Sequence, residues 1–251
     1  MDVDDLAYVD SFATSAVFTS RNLRDLTVLR RKDPIEEDAH MTFRGLPSSL
    51  NKLAFLPHED LYSFLHRSDL QCRQSEGKYG ILYRTLQPLL ALRHLTHLHI
   101  VSYYLTLRDK DVLALAFAFP RLESLLLRPG FSRRRPLSMT LASVEHAARH
   151  LPRLRELGIT IDARTCPPAI APEPPCNRTC ATLDVGESPL PAELAGDVAR
   201  FLTPLFGHPE LEITLFTLCD AFDLPWMGTS VSGAAWRDCL ERMRQERASG
   251  T

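Results

Sequence analysis

Leu95-Thr-His-Leu98-His-Ile100 and Leu122-Glu-Ser-Leu125-Leu-Leu127 carry the same apolar phrase, L-x-x-L-x-(L/I/V/F), 27 residues apart. The phrase recurs at Leu23/Leu26/Val28, Leu50/Leu53/Phe55 and Leu154/Leu157/Ile159, with weaker copies at Leu183/Val185 and Leu211/Ile213. Marked by one leucine of each phrase (26, 53, 98, 125, 157, 183 and 211), the spacings are 27, 45, 27, 32, 26 and 28 residues. The long interval predicts an insertion, or one degenerate copy, between residues 56 and 90. The chain is rich in leucine, with 41 of 251 residues.

Two apolar residues separated by one position point to the same face of a short strand, while their neighbours point the other way. The leucine three residues earlier anchors the incoming turn. A unit of this size cannot bury its apolar side alone, but stacked units share a continuous core. Helical periodicity fills the intervals. Val112, Leu115, Ala116 and Phe119 form a stripe in 109–119, with Asp109 as the expected N-cap. Leu141, Val144, Ala148 and Leu151 form one in 138–151, and Leu194, Val198, Leu202 and Leu205 one in 191–205. Phe119-Pro120, Leu151-Pro152 and His208-Pro209 then close three connections just before the next phrase.

A strand, a helix and a proline-marked turn per unit predict an α/β leucine-rich-repeat solenoid, with curved parallel strands on the concave side, helices on the convex side and irregular repeats of about 26–32 residues. A doubly wound α/β sheet is the competing fold, because its βα units also recur. The stereotyped phrase favours the solenoid. The expected organisation is an N-terminal segment (1–22), a repeat region (23–218) and a C-terminal part (219–251). Within the repeats, a loop at 163–178 holds five prolines. The C-terminal part combines an irregular segment with a capping helix bearing Trp236, Leu240 and Met243.

A formal charge of −2 argues against a dedicated nucleic-acid binder. No run of about 18 apolar residues predicts a membrane span, and the acidic start Met1-Asp-Val-Asp-Asp5 does not read as a signal peptide. Six cysteines dispersed through a chain of this size read as free thiols in a reducing compartment, so an intracellular site, cytoplasmic or nuclear, is expected. The sequon Asn177-Arg-Thr179 then reads as unused.

The block 89–162, with Thr182-Leu-Asp-Val-Gly-Glu-Ser-Pro-Leu190 and Val198-Ala-Arg-Phe-Leu-Thr-Pro-Leu-Phe206 downstream, resembles the leucine-rich portion of fungal F-box-type proteins of mushroom-forming fungi. The resemblance spans roughly residues 85–245. It implies an intracellular substrate receptor of a ubiquitin ligase. In such a receptor an F-box docks on the Skp1 adaptor and the repeats hold a protein. The chain departs from that pattern, since the repeats begin by Leu23. Only Leu56-Pro-His-Glu-Asp-Leu61, continuing to Leu65, Leu70 and Cys72, is faintly F-box-like, and it lacks the later Trp.

Catalytic motifs are weak. His94, His97 and His99 form H-x-x-H-x-H around a strand, so His97 and His99 share a face as a metal-binding pair would. A metal-dependent hydrolase built on that pair is the enzymatic alternative, but the pattern supplies no nearby acidic partner. His146 and His150 have zinc-protease spacing without the required Glu, position 147 being Ala. Cys166, Cys176 and Cys180 do not have a zinc spacing. Gly228-Thr-Ser-Val-Ser-Gly233 fails the nucleophile-elbow pattern. Arg133-Arg-Arg135, with Arg128 nearby, reads as a solvated basic loop, or else as an import or phosphate-contacting patch. A non-enzymatic chain without cofactor or metal is expected.

The positions facing away from the core are then the informative ones: Asp25/Thr27, Lys52/Ala54, His97/His99, Ser124/Leu126, Glu156/Gly158, Thr182/Asp184 and Glu210/Glu212. His97, His99, Glu156, Asp184, Glu210 and Glu212 are the candidate partner-binding residues. The acidic character of the later units predicts a basic or polar protein segment as the partner.

Overall fold

A computed structural model describes residues 6–8, 23–30, 40, 43–57, 81–102, 105–129, 137–168, 176–215 and 231–249. The fold is α/β and centres on an eight-stranded parallel sheet. Its strands are β1 (Leu6–Tyr8), β2 (Asp25–Arg30), β3 (Lys52–Pro57), β5 (His97–Ser102), β7 (Ser124–Pro129), β8 (Glu156–Ile159), β9 (Thr182–Asp184) and β10 (Glu212–Thr214). The short strands β4 (Ile81–Leu82) and β6 (Leu105–Thr106) pair with each other in a separate parallel sheet. Helices α1 (Tyr83–Leu86), α2 (Asp109–Ala118), α3 (Leu141–His150), α4 (Ala195–Leu202) and α5 (Val231–Ser249) complete the described elements, with short 3-10 turns at Gln87–Ala91 and Ala192–Leu194.

The strands of the large sheet lie side by side in chain order. A doubly wound sheet reverses its order at a switch point, and this one has no reversal. β3 pairs directly with β5, Leu53 beside Leu98 and Phe55 beside Ile100. Among the described residues, the long interval in the phrase spacing therefore adds no strand between β3 and β5. Its 58–80 portion, with most of the faintly F-box-like stretch, lies outside the described residues. The sheet also starts earlier than the phrases do, since β1 pairs with β2 from within the segment 1–22.

Each phrase is fixed by the one before it through a repeated backbone device. The carbonyls of Arg24, Asn51, Thr96, Glu123 and Arg155 each accept two N–H groups from the start of the next unit, at 2.6–3.2 Å. The leading leucine of most phrases closes a tight turn: Leu95 N–H donates to Leu92, Leu122 to Phe119 and Leu154 to Leu151, each at 3.1 Å. Phe119 and Leu151, the residues before Pro120 and Pro152, end α2 and α3 with ψ of 63° and 78°. A following proline disfavours the αR region and so stops these helices.

Leu26, Leu53, Leu98, Leu125, Leu157 and Leu183 form one buried row across the sheet, with Val28, Phe55, Ile100, Leu127 and Ile159 as the next. These rows join the apolar stripes of α2, α3, α4 and α5 in a single core. Helix α2 packs on α3, and α4 on α5. Asp109 is not the N-cap of α2. Arg108 holds that place, with its N–H donating to the Asp111 carboxylate at 2.9 Å. The Asp109 carboxylate instead accepts from Thr140 N–H (2.7 Å), Thr140 Oγ1 (2.9 Å) and Ser143 Oγ (2.6 Å), tying α2 to the first turn of α3.

At the C-terminal end α5 packs against α4 and β10. Trp236 and Met243 are buried, and Leu240 is half-buried. Trp236 Nε1 donates to Ser188 O at 2.9 Å, and Arg247 donates to the carbonyls of Phe206 and His208 beyond the end of α4. Cys166, Cys176, Cys180 and Cys239 are unbridged, and burial pushes the thiols of Cys180 and Cys239 up to about 12. Asn177 is buried, its amide nitrogen donating to Leu151 O at 2.8 Å. No helix among the described residues is long and apolar enough to cross a membrane.

Candidate functional site

Strand alternation sends a second set of side chains away from the core, and the parallel register aligns them in rows. The first row runs Asp25, Lys52, His97, Ser124, Glu156, Thr182, Glu212. The second runs Thr27, Ala54, His99, Leu126, Gly158, Asp184, Thr214. His97, His99, Glu156 and Asp184 thus fall where alternation places them.

The last unit departs from expectation. Ile213, not Leu211, stands beside Leu183, so the outward pair of β10 is Glu212 and Thr214. Glu210 lies before the strand, exposed, with its N–H donating to His208 Nδ1 at 3.2 Å. The shift follows from a phrase shortened by one residue: Leu211 precedes the strand's apolar residue by two positions and not three.

Polar contacts link neighbouring strands along these rows. Lys52 Nζ lies 3.0 Å from Asp25 Oδ2, an exposed pair. The Ser124 hydroxyl donates to Glu156 Oε2 at 2.6 Å, and His99 Nε2 is 2.8 Å from the same Ser124 oxygen. A hydroxyl has one proton, and an ionised carboxylate only accepts. The order is therefore His99 N–H to Ser124 to Glu156. Burial lowers the His99 pKa, opposed by the Glu156 charge and assisted by His97 and Arg128. In a nucleophilic triad the histidine accepts the serine proton and the acid orients the histidine. Here the acid binds the serine and the histidine donates to it. The rings of His97 and His99 are 6.2 Å apart, and among the described residues no group of three or more His, Cys, Asp or Glu is placed to hold a metal ion.

Arg128 is the residue that sequence reasoning misplaced. It does not belong to a solvated loop: its side chain is 12% exposed and forms an ion pair with Asp184, itself 4% exposed. Burial pushes the guanidinium pKa down, and Glu156 counteracts this. Asp184 also accepts from Gly186 N–H at 2.9 Å, where Gly186 takes a φ of 52°. Arg133–Arg135 lie outside the described residues. The missed signal was strand length, since β7 has six residues and Arg128 is its third outward position after Ser124 and Leu126.

Gly158 makes room for this arrangement. A Cβ there would stand 2.9 Å from Leu126 Cγ and 3.4 Å from Arg128 Nε. Around the pair lies an open groove of about 520 Å³, lined by Leu126, Arg128, Glu156, Thr182, Asp184, Thr214 and Leu215. The groove combines apolar residues at either end, threonines between them, and two carboxylates around one guanidinium. No family model matches the chain, and no curated protein sequence matches it.

Proposed function

We propose that the parallel sheet is the concave face of a leucine-rich-repeat solenoid and that the chain is a protein-interaction module, a substrate receptor of the F-box type. One observation carries the reading: strands laid in chain order align their outward side chains into continuous rows across seven strands, β2 to β10. Solenoids use such extended surfaces to hold other polypeptides. The near-neutral charge and the absence of a triad geometry at Ser124 are compatible with binding and supply no reaction chemistry of their own. The link to a ubiquitin ligase rests on the sequence resemblance alone.

The test is affinity capture with the full chain, comparing the native sequence with a Leu126→Arg/Thr182→Arg variant that keeps its melting temperature. A specific protein captured by the native chain and lost by the variant supports docking on the sheet face. Identical captures overturn it. Skp1 in the native capture supports the ligase role, whereas a face-dependent partner without Skp1 assigns a free-standing scaffold.

A further inference from the structure

In the groove across β7–β10 the positive charge is already committed, and the pair that holds it is nearly buried. Arg128 lies against Asp184, and Asp184 is also tied to the Gly186 N–H. The expectation of a broadly acidic face therefore narrows. Asp184 is nearly buried, its charge is answered by Arg128, and Glu210 stands outside the strand rows. Glu156 and Glu212 remain, in one register row with Thr182 between them. Strands about 4.8 Å apart put their backbones roughly 10 Å from one another, a span that one guanidinium or ammonium group can serve from the middle. Glu156 accepts the Ser124 hydroxyl and faces Arg128, and Glu212 is exposed; among the described residues neither forms a salt bridge within 4 Å. Together the side chains of Arg128, Asp184, Glu156 and Glu212 carry a formal charge of −2. Leu126 and Leu215 add apolar surface at its two ends.

Resting on the docking role proposed above, we infer that this groove receives an extended segment of a partner protein, with a cationic side chain over Thr182 between Glu156 and Glu212 and apolar neighbours against Leu126 and Leu215. The occupant is a basic–apolar peptide segment. An acidic segment would meet the carboxylates of Glu156 and Glu212, and like charges brought together oppose the wrong partner.

The probes are acetyl-Leu-Arg-Leu-amide and its citrulline counterpart, which keeps the shape and loses the charge. They are titrated into the isotope-labelled full chain and followed by NMR. The arginine peptide is expected to shift the Leu126 and Leu215 methyls and the Thr182 amide. It should bind about fivefold more tightly than the citrulline peptide, the scale of one or two partly exposed ion pairs. Glu156→Gln/Glu212→Gln should remove that difference, while both variant and native chain keep the same melting temperature. Equal binding of the two peptides, shifts confined to other surfaces, or no groove shift up to the solubility limit overturns the inference. A captured partner that is lost by Leu126→Arg/Thr182→Arg yet unaffected by Glu156→Gln/Glu212→Gln overturns it too, and leaves the docking role standing.

Discussion

The Ser124 hydroxyl lies 2.6 Å from Glu156 Oε2 and spends its only proton there, which leaves His99 to donate into the same oxygen from 2.8 Å on the other side. Three adjacent strands, β5, β7 and β8, are thereby joined on their outward face by a chain of hydrogen bonds with a fixed direction. That direction requires a proton on His99 Nε2.

Acid titration of the sheet face follows. The pKa of His99 is lowered below its ordinary 6.5, chiefly by burial. The unfolded chain therefore binds a proton at higher pH than the folded one, so stability falls as pH drops below about 6.5 toward the depressed folded value. His99→Gln is expected to flatten this part of the stability–pH curve in urea melts. In the native fold, NMR should show His99 titrating below 6.5. Glu156→Gln should lower the His99 pKa further, because Glu156 is the charge that raises it. A His99 that titrates at or above 6.5 contradicts the arrangement.

The ion pair between Arg128 and Asp184 is almost dry, at 12% and 4% side-chain exposure. Removing one partner of a buried pair is far more damaging than replacing both. Asp184→Leu should cost about 3–5 kcal/mol in chemical denaturation, while Arg128→Leu/Asp184→Leu should recover most of that loss. High salt should change the native stability little, since desolvated pairs are weakly screened. A double variant no better than the single would show that the two residues are not coupled.

Much of this architecture was legible in the chain because the L-x-x-L-x-L phrase states strand, face and spacing together. The outward rows from β2 to β9 fall where alternation from Leu26, Leu53, Leu98, Leu125, Leu157 and Leu183 put them. The pattern failed at β10, where one residue fewer between the anchor and the strand moved Glu210 out of the face and brought Thr214 in. It also failed for Arg128, where an adjacent basic loop suggested solvent, and for Asp109, whose carboxylate serves the following helix. Both misplacements concern polar side chains whose partners lie more than 30 residues away, at Asp184 and Thr140. Periodicity reports local geometry, and long-range polar pairing leaves no local mark.

That long-range tie makes Asp109 a test of how the units are joined. Its carboxylate accepts one N–H and two hydroxyls from the start of α3. Hydrogen bonds to a charged acceptor contribute about 1.5–3 kcal/mol each when the group is buried, and less where water can substitute. Asp109→Ala should destabilise the chain by about 2 kcal/mol. Hydrogen exchange should quicken first at the amides of Thr140, Ala142 and Ser143. Uniform acceleration over the whole sheet would instead mean that α2 and α3 do not open as a local unit.

Gly158 tests the groove's floor. An added Cβ would meet Leu126 Cγ at 2.9 Å, and that atom is the branch point of the side chain and not its free end. The Leu126 side chain must therefore shift, and Arg128, 3.4 Å away, is crowded as well. Overpacking of this kind costs about 1–3 kcal/mol, so Gly158→Ala should lower stability by that order. Leu126→Ala alone removes a half-buried side chain outside the core and should cost less. Combined, Gly158→Ala and Leu126→Ala should be less destabilising than the sum of the two, since the smaller side chain makes space for the new methyl. A strictly additive pair, measured by urea denaturation, would mean that the Cβ is accommodated by backbone movement of β8 and not by Leu126.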